Sequence, residues 1–127
     1  MYMKSNFDKL TPPYVSVVIP VYNVEGLLRT CLTSAVYQTL PEVEVVVVND
    51  ASPDNSQKII DEFVERFPGK VRCIIHEQNQ GLAYARRTGL RNAKAPYVVF
   101  VDSDDFISSD LCEVMLNKIL ENDDDMA

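Results

Sequence analysis

The chain has 127 residues, 46% hydrophobic and 24% charged, which is enough apolar material for the core of one domain. A formal net charge of -7 and the lack of any basic run exclude a nucleic-acid backbone as partner. Three cysteines (Cys31, Cys73 and Cys112), odd in number and set among apolar residues, read as reduced core thiols of a cytosolic protein. No apolar run forms a signal-peptide core or approaches the roughly 20 residues of a membrane span.

Residues 1–13 read as a mixed leader that ends in Pro12-Pro13. Val15 to Pro20 is β-branched and apolar, hence a buried strand, which Pro20 is expected to stop because proline donates nothing to a ladder. Leu27, Leu28, Cys31, Leu32, Ala35 and Val36 then recur at the spacing of one helix face, ending near Gln38. Val43 to Val48 is a second strand, closed by Asn49-Asp50-Ala51-Ser52-Pro53-Asp54. A second helix follows with Ile59, Ile60, Phe63, Val64 and Phe67, capped by Asp54 or Ser56 and ended by Pro68-Gly69. Val71 to His76 is the third strand; the loop Glu77 to Gly81 opens a helix of small residues through Leu82, Ala85, Gly89, Leu90 and Ala93. Pro96 breaks that helix, Tyr97 to Asp102 is the fourth strand, and a last helix begins near Ser109-Asp110. Its Asp110 and Glu113 have capping-box spacing, and Leu111, Met115, Leu116 and Ile119 form its apolar face. Asp123 to Asp125 read as a solvated acidic tail.

Four strands alternating with four helices imply βαβ units and an α/β fold: a Rossmann-like, three-layer α/β/α sandwich with a parallel sheet. The carboxyl ends of all strands then lie along one rim, where such folds bind ligands. Val98 to Val101 is apolar without a break, which predicts burial on both faces, and Asp102, Ser103, Asp104 and Asp105 follow at its carboxyl end. Acids so crowded repel one another and call for a hard cation such as Mg²⁺ or Mn²⁺. Around them, Tyr22 offers a ring for stacking, Asp50 an acceptor for a base or sugar donor, Gly81 close backbone approach, and Arg86 a phosphate contact. Each has a plainer reading as well: Asp50 as a turn cap, Tyr22 as packing, Arg86 as a solvated residue paired with an acid. His76, with no ligand-spaced partner, reads as structural.

In order along the chain stand P-V-Y-N (Pro20 to Asn23), N-D-A-S-P-D (Asn49 to Asp54), N-Q-G-L-A-Y-A-R (Asn79 to Arg86) and D-S-D-D (Asp102 to Asp105). Over about residues 15 to 120 this pattern resembles inverting glycosyltransferase family 2, with the GT-A fold. The resemblance implies a sheet in the order 3-2-1-4 and a nucleotide pocket lined by Pro20, Tyr22 and Glu25. It also implies that Asp50 accepts from the base, typically uracil, and that Gly81 and Arg86 hold nucleoside and phosphate. Asp102 would face the ribose or the metal shell with Ser103 beside it, and Asp104 would bind Mn²⁺ or Mg²⁺ on the diphosphate. Asn49, where many members carry aspartate, and Arg87, where asparagine often follows the arginine, depart from the pattern.

The family's general base lies further along than Ala127, so no catalytic residue is assigned within the chain. Residues 14–122 read as the nucleotide-sugar-binding half of a truncated GT-A domain, between the leader 1–13 and the tail 123–127, unable to transfer sugar alone. The implied partners are a UDP-sugar donor and a glycan or lipid-linked acceptor at the inner face of a membrane, with self-association through the exposed edge at Val98 to Val101. The competing readings are a sugar-phosphate nucleotidyltransferase, a non-catalytic nucleotide-binding module and a receiver-like domain. The first lacks a glycine-rich basic loop after strand one, the last lacks a lysine at a later strand end, and a dehydrogenase lacks G-x-G-x-x-G.

Overall fold

The computed structural model describes residues 11–122; residues 1–10 of the expected leader and the tail 123–127 lie outside the described residues. β1 (Val15–Val21) and β2 (Val43–Asn49) are buried at every position. Their valine and isoleucine runs suit a pleated surface that is covered on both faces. β3 (Val71–Ile75) pairs with β2 and β4 (Tyr97–Phe100) pairs with β1, all parallel, in the order β3-β2-β1-β4. This is the expected order 3-2-1-4. The helices α1 (Glu25–Val36), α2 (Ser56–Arg66), α3 (Leu82–Asn92) and α4 (Leu111–Glu121) follow the four strands in turn.

Alternation along the strands sorts the layers. Val17, Ile19, Val45 and Val47 share one core with Leu28 and Leu32 of α1, Ile60 and Phe63 of α2, and Cys112 and Leu116 of α4. Val18 faces the opposite side, against Gly89 of α3, where an added Cβ would lie 2.2 Å from Val18 Cγ1. Each fully buried aliphatic side chain contributes about 1.5–3 kcal/mol, so the Val-rich centre of the sheet is what holds the rim in place.

At the opposite end of the strands lies a buried charge that the apolar look of β2 concealed. Glu44 accepts from Ser16 Oγ, from the Lys94 N–H at 2.6 Å, and from Arg72 Nη2 at 2.8 Å. This network ties the α3–β4 connection to the two central strands.

Several local expectations are corrected. Pro20 does not stop β1, for it pairs in register with Val48 and Val21 follows. Val18 O accepts from Val101 N at 3.0 Å on the β4 side, and Pro20, two residues on, turns the same way. Its missing N–H therefore ends the β1–β4 ladder, whose last pair is Val18 with Phe100. β4 is not buried on both faces: Val98 and Val99 are half-buried, Phe100 is 44% exposed, and no strand among the described residues pairs with its outer edge.

The α4 capping box does not form. Glu113 accepts from Thr39 Oγ1 at 3.2 Å, while the Cys112 N–H is taken by Gln38 Oε1 at 3.0 Å. A side chain distant in sequence thus does the capping. Leu27 and Leu90, placed on apolar faces by spacing, are exposed, and α3 buries only Ala85 and Gly89.

Candidate functional site

The carboxyl ends of the strands form the rim, and ladder-end hydrogen bonds set their levels. Asp50 N donates to Val21 O and His76 N to Asn49 O, each at 2.9 Å. The loop after β2 then grips the loop after β1. Ser52 Oγ accepts from Asn23 N at 2.7 Å, and Asp54 Oδ2 accepts from Glu25 N at 3.0 Å. Asn23 (φ 56°) and Ala51 (φ 59°) take up left-handed backbone to make these turns. Asp54 Oδ1 also accepts from Ser56 N at 3.0 Å, so Asp54, not Ser56, serves the first turn of α2. Burial pushes the Asp54 carboxyl up, but bonds from Ser52, Ser56 and the Glu25 N–H outweigh it and hold it at about 2.

Asn49 is buried and turned away from the cavity described below. Its Nδ2 donates to Gln57 Oε1 at 2.7 Å and its Oδ1 accepts from Ser52 N at 2.9 Å. The asparagine that departs from the family pattern thus shapes the loop.

Asp50 is buried and sits at the meeting of three elements. Its Oδ1 accepts from Gln80 N and pairs with His76 Nδ1, both at 2.8 Å, and its Oδ2 accepts from Gly81 N at 2.9 Å. Desolvation raises the carboxyl; the bonds from His76, Gln80 and Gly81 more than reverse this and leave it below its ordinary range. Asp50 is therefore a cap, but for the loop that starts α3 thirty residues on rather than for α2. Gly81, at φ 95°, turns that loop into the helix in a conformation that side chains disfavour.

On the far wall, β4 delivers Asp102, Ser103 and Asp104. Ser103 is buried and both aspartates are exposed, with Arg86 Nη2 3.1 Å from Asp102 Oδ1. Beneath them, the Cys31 thiol donates to Asp102 O at 3.6 Å. Burial, then the charges of Asp105, Asp104 and Asp102, pushes that thiol up to about 12, so it stays neutral under the acids.

A cavity of about 480 Å³ opens among these walls, lined by Pro20, Tyr22, Asp50, Asn79, Gly81, Asp102, Ser103 and Asp104, together with Val21, Leu82 and Ala85. Seven of the nine positions proposed from sequence meet here. Arg86 stands behind the wall through its pair with Asp102. Glu25 does not join them: it opens α1 and lines a separate groove with Arg29 and Phe106. Leu82 and Ala85 were legible only as helix packing, and His76 gave no signal because its partner lies 26 residues earlier.

Among the described residues, no three His, Cys, Asp or Glu side chains gather into a cage. Asp102 and Asp104, two carboxylates on one cavity wall, nonetheless suit a Mg²⁺-like cation, which commonly takes one or two protein carboxylates and completes its shell with phosphate and water.

The profile described as Glycosyl transferase family 2 matches residues 16–127. The chain is 47% identical over 113 residues to glycosyltransferase GlyA of Streptococcus pneumoniae serotype 4, covering 89% of this chain and 16% of GlyA. It superposes on the crystal structure of S. aureus TarS 1-349 in complex with UDP-GlcNAc with a TM-score of 0.80 at 33% identity, covering 86% of this chain and 32% of that one. The mannosyltransferase PcManGT from Pyrobaculum calidifontis, in complex with GDP-Man and Mn2+, matches with a TM-score of 0.68 at 30% identity, covering 77% of this chain and 31% of that one. The chain thus spans a third or less of each of these three proteins. The parallel sheet in the order 3-2-1-4 is the GT-A arrangement, and on a profile match that runs through all four strands this chain belongs to glycosyl transferase family 2.

Proposed function

We propose that the chain binds the donor of a glycosyltransferase that moves a sugar from a UDP-sugar to an acceptor hydroxyl with inversion. The observation that carries this reading is the convergence of Pro20, Tyr22, Asp50, Gly81 and the Asp102 to Asp104 segment on one cavity of about 480 Å³, a volume within the range of small-ligand sites. TarS in complex with UDP-GlcNAc and PcManGT in complex with GDP-Man support a nucleotide-sugar donor.

In this reading Tyr22, 47% exposed at the mouth, stacks on the base. Asp50 accepts one N–H from the base edge, and Gly81, bare of a side chain, lets the nucleoside approach the start of α3. Arg86 balances Asp102 until phosphate arrives and then shares its charge. Asp104 and Asp102 would hold Mn²⁺ or Mg²⁺, which when bound neutralises charge gathering on the departing nucleoside diphosphate. Residues 14–122 bind the donor, and no rim carboxylate is assigned as the base that deprotonates a glycan or lipid-linked acceptor. Among the described residues no helix is long and apolar enough to cross a membrane.

A thermal-shift panel of UDP, GDP, CDP and ADP, with and without Mn²⁺, tests the reading. A ligand at 100 times Kd adds about 2.7 kcal/mol, several degrees for a domain of this size. UDP with Mn²⁺ gives that shift; four flat results contradict the reading.

A further inference from the structure

The acceptor capacity of Asp50 is almost spent inside the chain. Each carboxylate oxygen offers about two lone-pair sites. Oδ1 uses both, on His76 Nδ1–H and Gln80 N–H, while Oδ2 uses one on Gly81 N–H. One site is left, on Oδ2. The second occupant of Oδ1 is what makes the count come out this way, and it is supplied by a side chain rather than by the backbone.

His76 is built to hold that bond. A carboxylate can only accept, so Nδ1 carries a hydrogen in either charge state of the ring. Nε2 lies 2.8 Å from Thr88 Oγ1 on α3, and the ring of Tyr84 meets the imidazole edge-on at 5.4 Å. With only 11% of its side chain exposed, His76 is clamped between α3 and the end of β2.

We propose that His76 is a specificity-determining positioning residue: by filling Oδ1 it limits Asp50 to a single incoming donor. The inference rests on the donor-site reading above. A base edge with one ring N–H between two carbonyls, as in uracil, satisfies the site. A guanine edge presents N1–H and an exocyclic N–H side by side, and these call for both oxygens of a free carboxylate. The site therefore takes uridine nucleotides and turns away guanosine nucleotides.

The test is the ratio of Kd values for UDP and GDP, both with Mn²⁺, measured by titration calorimetry on the 127-residue chain. Wild type favours UDP. His76→Ala frees a lone pair on Oδ1 and lowers the preference about tenfold; His76→Asn, whose amide N–H reaches the place of Nδ1, restores it. A merely structural loss weakens both nucleotides alike and leaves the ratio unchanged. An unchanged ratio in His76→Ala, with the ratio lost in Asp50→Ala, overturns the role of His76 and leaves the donor site standing. A wild-type preference for GDP, or a ratio untouched by Asp50→Ala, overturns base reading by Asp50 as well. Because the chain has one histidine, its nitrogen NMR spectrum supplies a readout free of substitutions. A signal for hydrogen on Nδ1 is expected; a ring protonated on Nε2 alone refutes the inference.

Discussion

Gly89→Ala tests how α3 is seated. The new methyl would lie 2.2 Å from Val18 Cγ1 and 3.3 Å from two further Val18 carbons. Packed carbons sit about 3.5–4.0 Å apart, so the shortfall is at least about 1.3 Å. Val18 is fully buried in the middle of the sheet, and its branched side chain has few rotamers to escape into. Relief must come from lifting α3 off β1. An overlap this deep against a fully buried side chain puts the overpacking cost in the upper part of the usual range, about 2–3 kcal/mol, while alanine in place of glycine inside a helix returns about 1 kcal/mol. The net expectation is a loss of about 1–2 kcal/mol. Gly26, in the first turn of α1, has nothing within 4 Å of an added Cβ and serves as control; Gly26→Ala is expected to stabilise by about 0.5–1 kcal/mol. Urea unfolding followed by circular dichroism reads both, as midpoints of opposite displacement at unchanged slope. A Gly89→Ala chain as stable as wild type would show that α3 does not rest on β1 through this glycine, and the placement of Gly81 and Arg86 would lose its support.

Two further outcomes follow from the same structure. Asp54, ordinarily near 3.8, is held at about 2 in the fold, so its contribution is present above the unfolded value and disappears as pH falls from about 4 through 2. The linkage value is about 2 kcal/mol, and partial exposure trims it to about 1. Glu44, also held low against the rise that burial imposes, adds to the same acid sensitivity. The urea-midpoint gap between wild type and Asp54→Asn is expected to close on going from pH 6 to about pH 2; a gap that does not change with pH removes the assignment. The open edge of β4, where Phe100 is exposed and where Val98 and Val99 line a groove with Met115 of α4, is expected to draw copies of the chain together. Sedimentation should show association that rises with concentration and is abolished by Phe100→Lys, and a monomer throughout counts against it.

The four strands were legible because their β-branched runs have no competing reading, and their parallel direction followed from the helices between them, while the order 3-2-1-4 came with the family resemblance. The convergence of four loops was legible for the same reason, since a parallel sheet puts every carboxyl end on one rim. What spacing missed was decided by partners far along the chain. Asp50 looks like a turn cap for α2, yet it caps the entry to α3 because His76, Gln80 and Gly81 bring it donors from 26 to 31 residues away. Glu25 looks like a pocket residue beside Tyr22, but Asp54 captures its backbone N–H and the helix carries its side chain away from the cavity. Glu44 sits in a run of valines and gives no local sign that Ser16, Arg72 and Lys94 will satisfy it. Leu27 and Leu90 kept helical spacing but stay about half exposed, because α3 docks through small residues and α1 through the other side of its stripe.

The most direct test of the donor-site account is calorimetric titration of UDP into the wild-type chain and into Asp104→Ala, each with and without Mn²⁺. The account predicts binding by wild type that strengthens at least tenfold with the metal, and an Asp104→Ala chain that retains its fold and loses the metal-dependent part. Equal binding by both proteins in Mn²⁺ would contradict it, because the acids at the end of β4 would then take no part in holding the diphosphate.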